Sequence, residues 1–442
     1  KSKTVDVNGT PKTITVQPNS YKLVKGGAES NTLPAYKAGT TVEIGTYTIN
    51  SATGQVTFTP SDKTYSGEVA PVSVQATGSN GVKVQTTYTP IITPVTPKAE
   101  ASATSDVQGK KQVSRIVLDT VETDADKDKT VNFNKGTEQG PNGERVELDE
   151  STLTLLDGTT EVTSLTTSDG KYELDKVKKT ITFTPNKTFT GPAKPVKVQI
   201  KDVNGTKVET TYTPTVTDVT MESVDKTSEK PQGQTQTGTP TFTISTSDVR
   251  ITEYKLVDPT NNTLVEEVEV ENQGTYSINK KTGEVTFVPK PGFTGRTNGI
   301  TVRATDENGE TKDATYTPSV TPLKVTPENK QTTNIQGLPQ EATPTFKLPK
   351  GVTNAVVTER KLIDPITKAL TNSVTVDGKG TFTINANGKV TFTPVPSYVG
   401  DVPAIEVQGT ITVLNDNNDS TTITSKASYK PIIVPIELEK TP

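Results

Sequence analysis

Three aspartates spaced two apart, Asp124, Asp126 and Asp128, open the stretch TDADKDKT in the manner of a calcium-binding loop. Such a loop needs glycine at its sixth position and a bidentate glutamate at its twelfth, and Lys129 and Lys135 stand there instead. The three aspartates are therefore weak calcium candidates, and the stretch reads first as a charged, solvated loop. NDNND at 415–419 is a second weak candidate of the same kind. Lys22, Lys255 and Lys361 occupy equivalent places in three similar segments, where a Lys–Asn isopeptide crosslink could form. That bond requires a lysine, an asparagine and a catalytic carboxylate together in the core. The fourth segment offers Thr154, and no asparagine recurs in the closing strands, so strand lysines that keep edges soluble are expected. Glu266/Glu267 and Asp306/Glu307 could be imagined as glycosidase pairs, which need a cleft, gripping aromatics and one raised pKa. The recurring Tyr and Phe instead sit at alternating inward positions, where they pack a core.

The composition narrows the chemistry further. The 442 residues contain no histidine and no cysteine. This removes the commonest general base, disulfides, cysteine nucleophiles and cysteine-ligated metals. Net charge is −4, so no basic footprint for nucleic acid or an anionic membrane exists, and no apolar stretch approaches the ~20 residues of a membrane span. No catalytic residue, metal or cofactor is assigned, and an enzyme is not expected. Hydrophobic residues make up only 30%, so each domain must live with a thin core. The 84 threonines, stiff and β-branched, favour strands, and 31 prolines limit helices. The chain lacks an initiator methionine, a signal peptide and a sorting signal, as expected of a piece excised from a longer protein.

Repetition sets the architecture. GEVTFVP (283–289) has counterparts at 54–60, 179–185 and 388–394, each preceded by an aromatic strand start and followed by an aromatic–glycine pair. A closing motif, TYTP at 87–90, 211–214 and 315–318 and SYKP at 428–431, ends each unit. The closing prolines lie 124, 104 and 113 residues apart. Four units follow: 1–95, 96–219 with an insertion around 121–150, 220–323, and 324–442. Within them, apolar and polar residues alternate with the period of half-buried strands. Asn-Gly at 80–81, 204–205 and 308–309 predicts hairpin turns with φ > 0 at both residues.

The third unit reads as seven strands: 239–244, 251–258, 264–270, 274–278, 283–288, 299–306 and 311–320. Seven short strands in about 105 residues predict a two-sheet sandwich. The fold expected is all-β: four immunoglobulin-like β-sandwich modules arranged end to end as an elongated rod. Clustered prolines at the junctions predict stiff connections, with KAEASATSD (98–106) as a looser connector.

QGQTQTGTPTFT (232–243), YKLVDP (254–259), GTYSINKKTGEVTFVPKPGFTG (274–295) and ATDENGETKDATYTPSVTP (304–322) together resemble the CshA-type fibril repeat of Gram-positive, streptococcal-like surface adhesins. The third unit matches almost throughout. The first reads YKLVKGG at 21–27, the second TLTLLDG at 152–158, and the fourth alters the last hairpin. The resemblance implies tandem stalk modules of a cell-wall-anchored extracellular fibril. Their partners would be neighbouring repeats of the same chain. A host extracellular-matrix protein would be met through regions outside this stretch, and neither nucleic acid nor membrane insertion is expected. The competing expectation is that the modules themselves bind a matrix protein, a glycan or another fibril.

Overall fold

The computed structural model describes residues 2–94, 96–118, 127–134 and 147–436. Among these there is no α-helix; one 3-10 turn, Lys127–Lys129, interrupts an otherwise all-β chain. The chain divides into two compact units, Lys1–Asp218 and Val219–Pro442.

The third repeat, in the second unit, shows the construction most plainly. One sheet runs in the order Lys226–Pro231, Thr311–Thr321, Ile300–Asp306, Ile251–Val257, Leu264–Val265. The facing sheet runs Gln236–Gly238, Val285–Pro289, Gly274–Ile278, Glu267–Val270. Alternation drives the two together: Val285 and Phe287 point inward and are fully buried, while the alternate residues Thr286 and Val288 are half-buried. Tyr276, Val302 and Tyr316 complete the centre, all fully buried. Tyr276 lies 4.5 Å from the Phe287 ring and meets Tyr316 edge-on at 6.5 Å, geometries that suit the aromatic quadrupole. Gly274 (φ 153°) is required beneath this stack, because a Cβ there would overlap the Val288 carbonyl and the Phe287 ring. Gly45, Gly170 and Gly380 hold the same place in the other repeats.

The fourth repeat copies this plan around Phe382, Phe392 and Tyr429, and the second around Tyr172, Phe183 and Tyr212. The first repeat has only Thr32–Tyr36, Glu43–Ile49 and Val56–Pro60 in one sheet, with Lys83–Tyr88, Val72–Thr77, Lys22–Lys25 and Ala28–Ser30 in the other.

Two expectations need correction. At 80–81, 204–205 and 308–309 only the glycine has φ > 0. In the second and third repeats an aspartate two residues before the asparagine shapes the turn instead: Asp306 Oδ1 accepts from the Asn308 and Glu310 N–H groups at 2.8 and 2.9 Å. Residues 98–106 are also not a loose connector. Lys98–Glu100 and Ser102–Val107 are strands, paired with Thr130–Asn134 and Lys207–Thr217.

Candidate functional site

The feature that recurs with defined chemistry is the amino-terminal segment of each repeat. In the second, third and fourth repeats its first part lies parallel to the closing strand: Ser102–Val107 on Lys207–Thr217, Lys226–Pro231 on Thr311–Thr321, Lys330–Ile335 on Ser420–Val434. The register is the same each time, with Thr104, Ser228 and Thr332 opposite Pro214, Pro318 and Pro431. After a glycine at φ 79° (Gly109, Gly233, Gly337) the chain crosses to the other sheet, where Gln112, Gln236 and Gln340 stand opposite Phe183, Phe287 and Phe392. One segment therefore edges both sheets.

Side chains lock it. The Ser228 hydroxyl donates to Gln236 Oε1 at 2.6 Å and lies 2.6 Å from the Tyr316 hydroxyl. Its single proton is committed to the glutamine, so Tyr316 must be the donor to Ser228. Gln236 Nε2 then donates to the Ser319 carbonyl at 2.8 Å. Thr104, Gln112 and Tyr212 repeat this set, as do Thr332, Gln340 and Tyr429. A second glutamine anchors the crossing: Gln108, Gln232 and Gln336 donate to the carbonyls of Lys187, Pro291 and Pro396. The tyrosines are held protonated. Burial pushes Tyr212 and Tyr276 up to about 12 and raises Tyr316 and Tyr429 as well.

The residues singled out in the sequence are scattered. Lys22 Nζ donates to Asn31 Oδ1 at 2.8 Å and Lys361 Nζ to Asn372 Oδ1 at 2.9 Å, so a Lys–Asn pair does meet in the first and fourth repeats. These asparagines lie nine and eleven residues downstream, outside the closing strands. In the third repeat the same place holds an ion pair, Lys255 with Glu266 at 2.7 Å. In the second, buried Thr154 donates to the Val162 carbonyl at 3.0 Å. Lys255 and Lys280 hold the Glu266 carboxyl below its usual range, the opposite of what a general acid needs. Asp306 is spent on its own turn.

The NDNND loop is a joint. Asn415 Oδ1 accepts from the N–H groups of Asn417 and Asp419, its Nδ2 donates to the Pro289 carbonyl of the third repeat at 3.0 Å, and Asp416 accepts from Thr235. Asn354 adds a bond to the Gln232 carbonyl at 3.1 Å. Asp128 is exposed in the 3-10 turn, whereas Asp124 and Asp126 lie outside the described residues. Among the described residues no three acidic side chains gather to hold a metal ion. No helix among them is long and apolar enough to cross a membrane. The locking glutamines escaped the sequence reading. Their signal was a Ser/Thr and a Gln eight residues apart, flanking a Gln-Gly, in three successive units.

No curated protein sequence matches the chain. Among solved structures it is similar to the I9–I11 tandem of titin (9% identity, 77% of this chain and 100% of that chain, TM-score 0.29). Similar too are extracellular cadherin domains 3–6 of protocadherin gamma B2 (10%, 95% and 96%, TM-score 0.26). A tetra-tandem repeat from the extending region of a large adhesion protein matches at 14% identity over 95% of this chain and 94% of that chain, TM-score 0.27. Likenesses at these scores carry no functional weight. The family model of the surface adhesin CshA repetitive domain matches four times, at 1–92, 94–216, 218–320 and 322–433. The chain belongs to that family, as four tandem repeats of a surface adhesin.

Proposed function

We propose that the chain is a non-catalytic stalk segment of a bacterial surface adhesin, a spacer that holds a binding tip away from a Gram-positive cell wall to which the parent protein is anchored. Each of the modules 1–95, 96–219, 220–323 and 324–442 is its own folding unit in this reading. The observation that carries it is the recurrence of one locking set in three successive repeats. The serine, threonine and tyrosine hydroxyls of that set are satisfied by one another within their own module. The joint between the third and fourth repeats, built from Asn415, Asn354 and Asp416, supports a connection of defined geometry.

Small-angle scattering tests it. Strands of ~6–8 residues at ~3.3 Å each, plus turns, make a module roughly 35–45 Å long, and four in line give a rod on the order of 150–180 Å. A compact particle would overturn the spacer reading. A solid-phase screen against host matrix proteins separates it from direct adhesion, because a pure spacer binds none of them.

A further inference from the structure

The first repeat lacks what the other three have. Its amino-terminal segment, Lys3–Val7, pairs with Thr10–Ile14 rather than with either sheet. The connecting residues Asn8 (φ 55°) and Gly9 (φ 81°) are both left-handed, the type I′ turn that Asn-Gly favours in a tight hairpin. Two edges are left open as a result: residues 88–93, which pair with Gly67–Glu68 on one side only, and Val56–Pro60.

Substitutions at the locking positions account for this. Thr4, Asn8 and Lys12 fall at the spacing of Thr104, Gln108 and Gln112. Lys12 has no oxygen to accept the threonine proton, and Asn8 is one methylene shorter than the anchoring glutamine. Thr4 Oγ1 bonds to Thr13 Oγ1 at 2.8 Å instead. The Tyr88 hydroxyl, counterpart of the locked Tyr212, Tyr316 and Tyr429, meets no partner among the described residues. The hairpin instead faces the start of the closing strand across a groove of about 270 Å³ lined by Val5, Ile14, Val82 and Val84, with Val82 56% and Val84 61% exposed.

We propose that the first repeat is a strand acceptor, and that its occupant is the amino-terminal segment of a repeat from a second copy of this chain. The strand would enter parallel to Tyr88–Thr93. Its Ser or Thr would lie opposite Pro90 and reach the Tyr88 hydroxyl, and its Gln, eight residues on, would stand opposite Phe58. An equivalent strand is seated on the equivalent edge, in this register, three times in the same chain. Main-chain bonds supply the affinity of such strand addition and the side chains its specificity. Adhesive contact between copies goes beyond a spacer's role, and a rod-shaped scattering profile neither requires nor forbids it.

A repeat that lends its segment gives up as many bonds as it forms, so the test offers the strand free. A labelled peptide of residues 226–238 is titrated against the intact chain by anisotropy, and amide exchange locates it. Saturable binding is expected, with exchange slowed at 56–58 and 88–93. A peptide carrying Ser228→Ala and Gln236→Ala should bind about tenfold weaker or worse. The chain variant Asn8→Gln/Lys12→Gln should lose peptide binding because its own segment then fills the edge. Should that variant misfold, Tyr88→Phe, expected to weaken binding several-fold, takes its place. Absence of saturable binding, equal binding of the alanine peptide, or protection elsewhere overturns the proposal. So does slow exchange, without peptide, at those amides of 88–93 that Val72 and Gly67–Glu68 leave unpaired, since residues 2–14 would then already occupy the edge.

Discussion

Phe58 and Phe287 occupy the same place in the same motif, yet Phe287 is fully buried and Phe58 only half-buried. The contrast runs through both repeats. Val285 and Tyr316 are sealed, whereas Val56 and Tyr88 are partly open. The third repeat's closing strand runs unbroken from Thr311 to Thr321; the first repeat's stops at Tyr88 and resumes at Ile91–Ile92. The aromatic core residues are equivalent in the two, so their hydrophobicity does not explain the difference. What differs is the segment 226–238, whose two strands, KTSEKP and QTG, hold hardly an apolar side chain. Laid along both edges, it pairs with the closing strand and with residues 285–287 and excludes water from the rings beneath. A polar segment here seals a hydrophobic core it contributes almost nothing to.

The sharpest way to probe this contrast is at the rings themselves. Phe287→Ala should destabilise its repeat by about 3–5 kcal/mol, and Phe58→Ala by roughly half of that, because a half-exposed ring loses less on truncation. Urea unfolding followed by amide exchange resolves the repeats, and equal losses would break the comparison. Next in size is the lock. Gln236→Ala strands the Ser228 hydroxyl and the Ser319 carbonyl and should cost about 1–3 kcal/mol, whereas Lys12→Ala should be nearly neutral by the same measurement. Tyr316→Phe removes one hydrogen bond, about 1 kcal/mol, while Tyr88→Phe should change the first repeat's stability little.

The least effect at neutral pH comes from titration. Tyr276 is pushed up to about 12 by burial and Tyr316 is raised too, against an unfolded value near 10. Above that unfolded value the folded state holds the protons, so stability is full below about pH 10 and falls as pH rises toward 12. In the first repeat Tyr47, raised to about 12, contributes in the same direction. The third repeat's alkaline loss should be the steeper of the two. Tyrosinate absorbance at 295 nm, followed with circular dichroism, checks it; ionisation of Tyr276 near pH 10 without unfolding would contradict it.

Much of the third repeat was legible because alternation marks strands that face a core. GTYSI is the observed strand Gly274–Ile278, and TKDATYTPSV corresponds to Thr311–Thr321. LVEEVEV divides into Leu264–Val265 and Glu267–Val270, which serve different sheets. Lys226–Pro231 was not legible. It is an edge strand held by main-chain and hydroxyl–amide bonds, which leave no hydrophobic period to read. The lock was hidden for the same reason, since Ser228 and Gln236 look like surface residues until Tyr316 is placed beside them. The joint at Asn415 could not be read either, because its partner carbonyl, Pro289, lies 126 residues away.

The parallel pairing of an early strand with the closing strand also decides how a repeat meets tension. When a repeat is pulled by its two ends, Lys226–Pro231 and Thr311–Thr321 are drawn past one another along their length. Their bonds are then loaded together in shear instead of being peeled apart one after another. The second and fourth repeats are built the same way. In the first repeat the leading hairpin carries no such bonds to the closing strand, so a steady pull should reach its core at lower force. Within a stretched chain that repeat would yield first, and its extension would spare the other three.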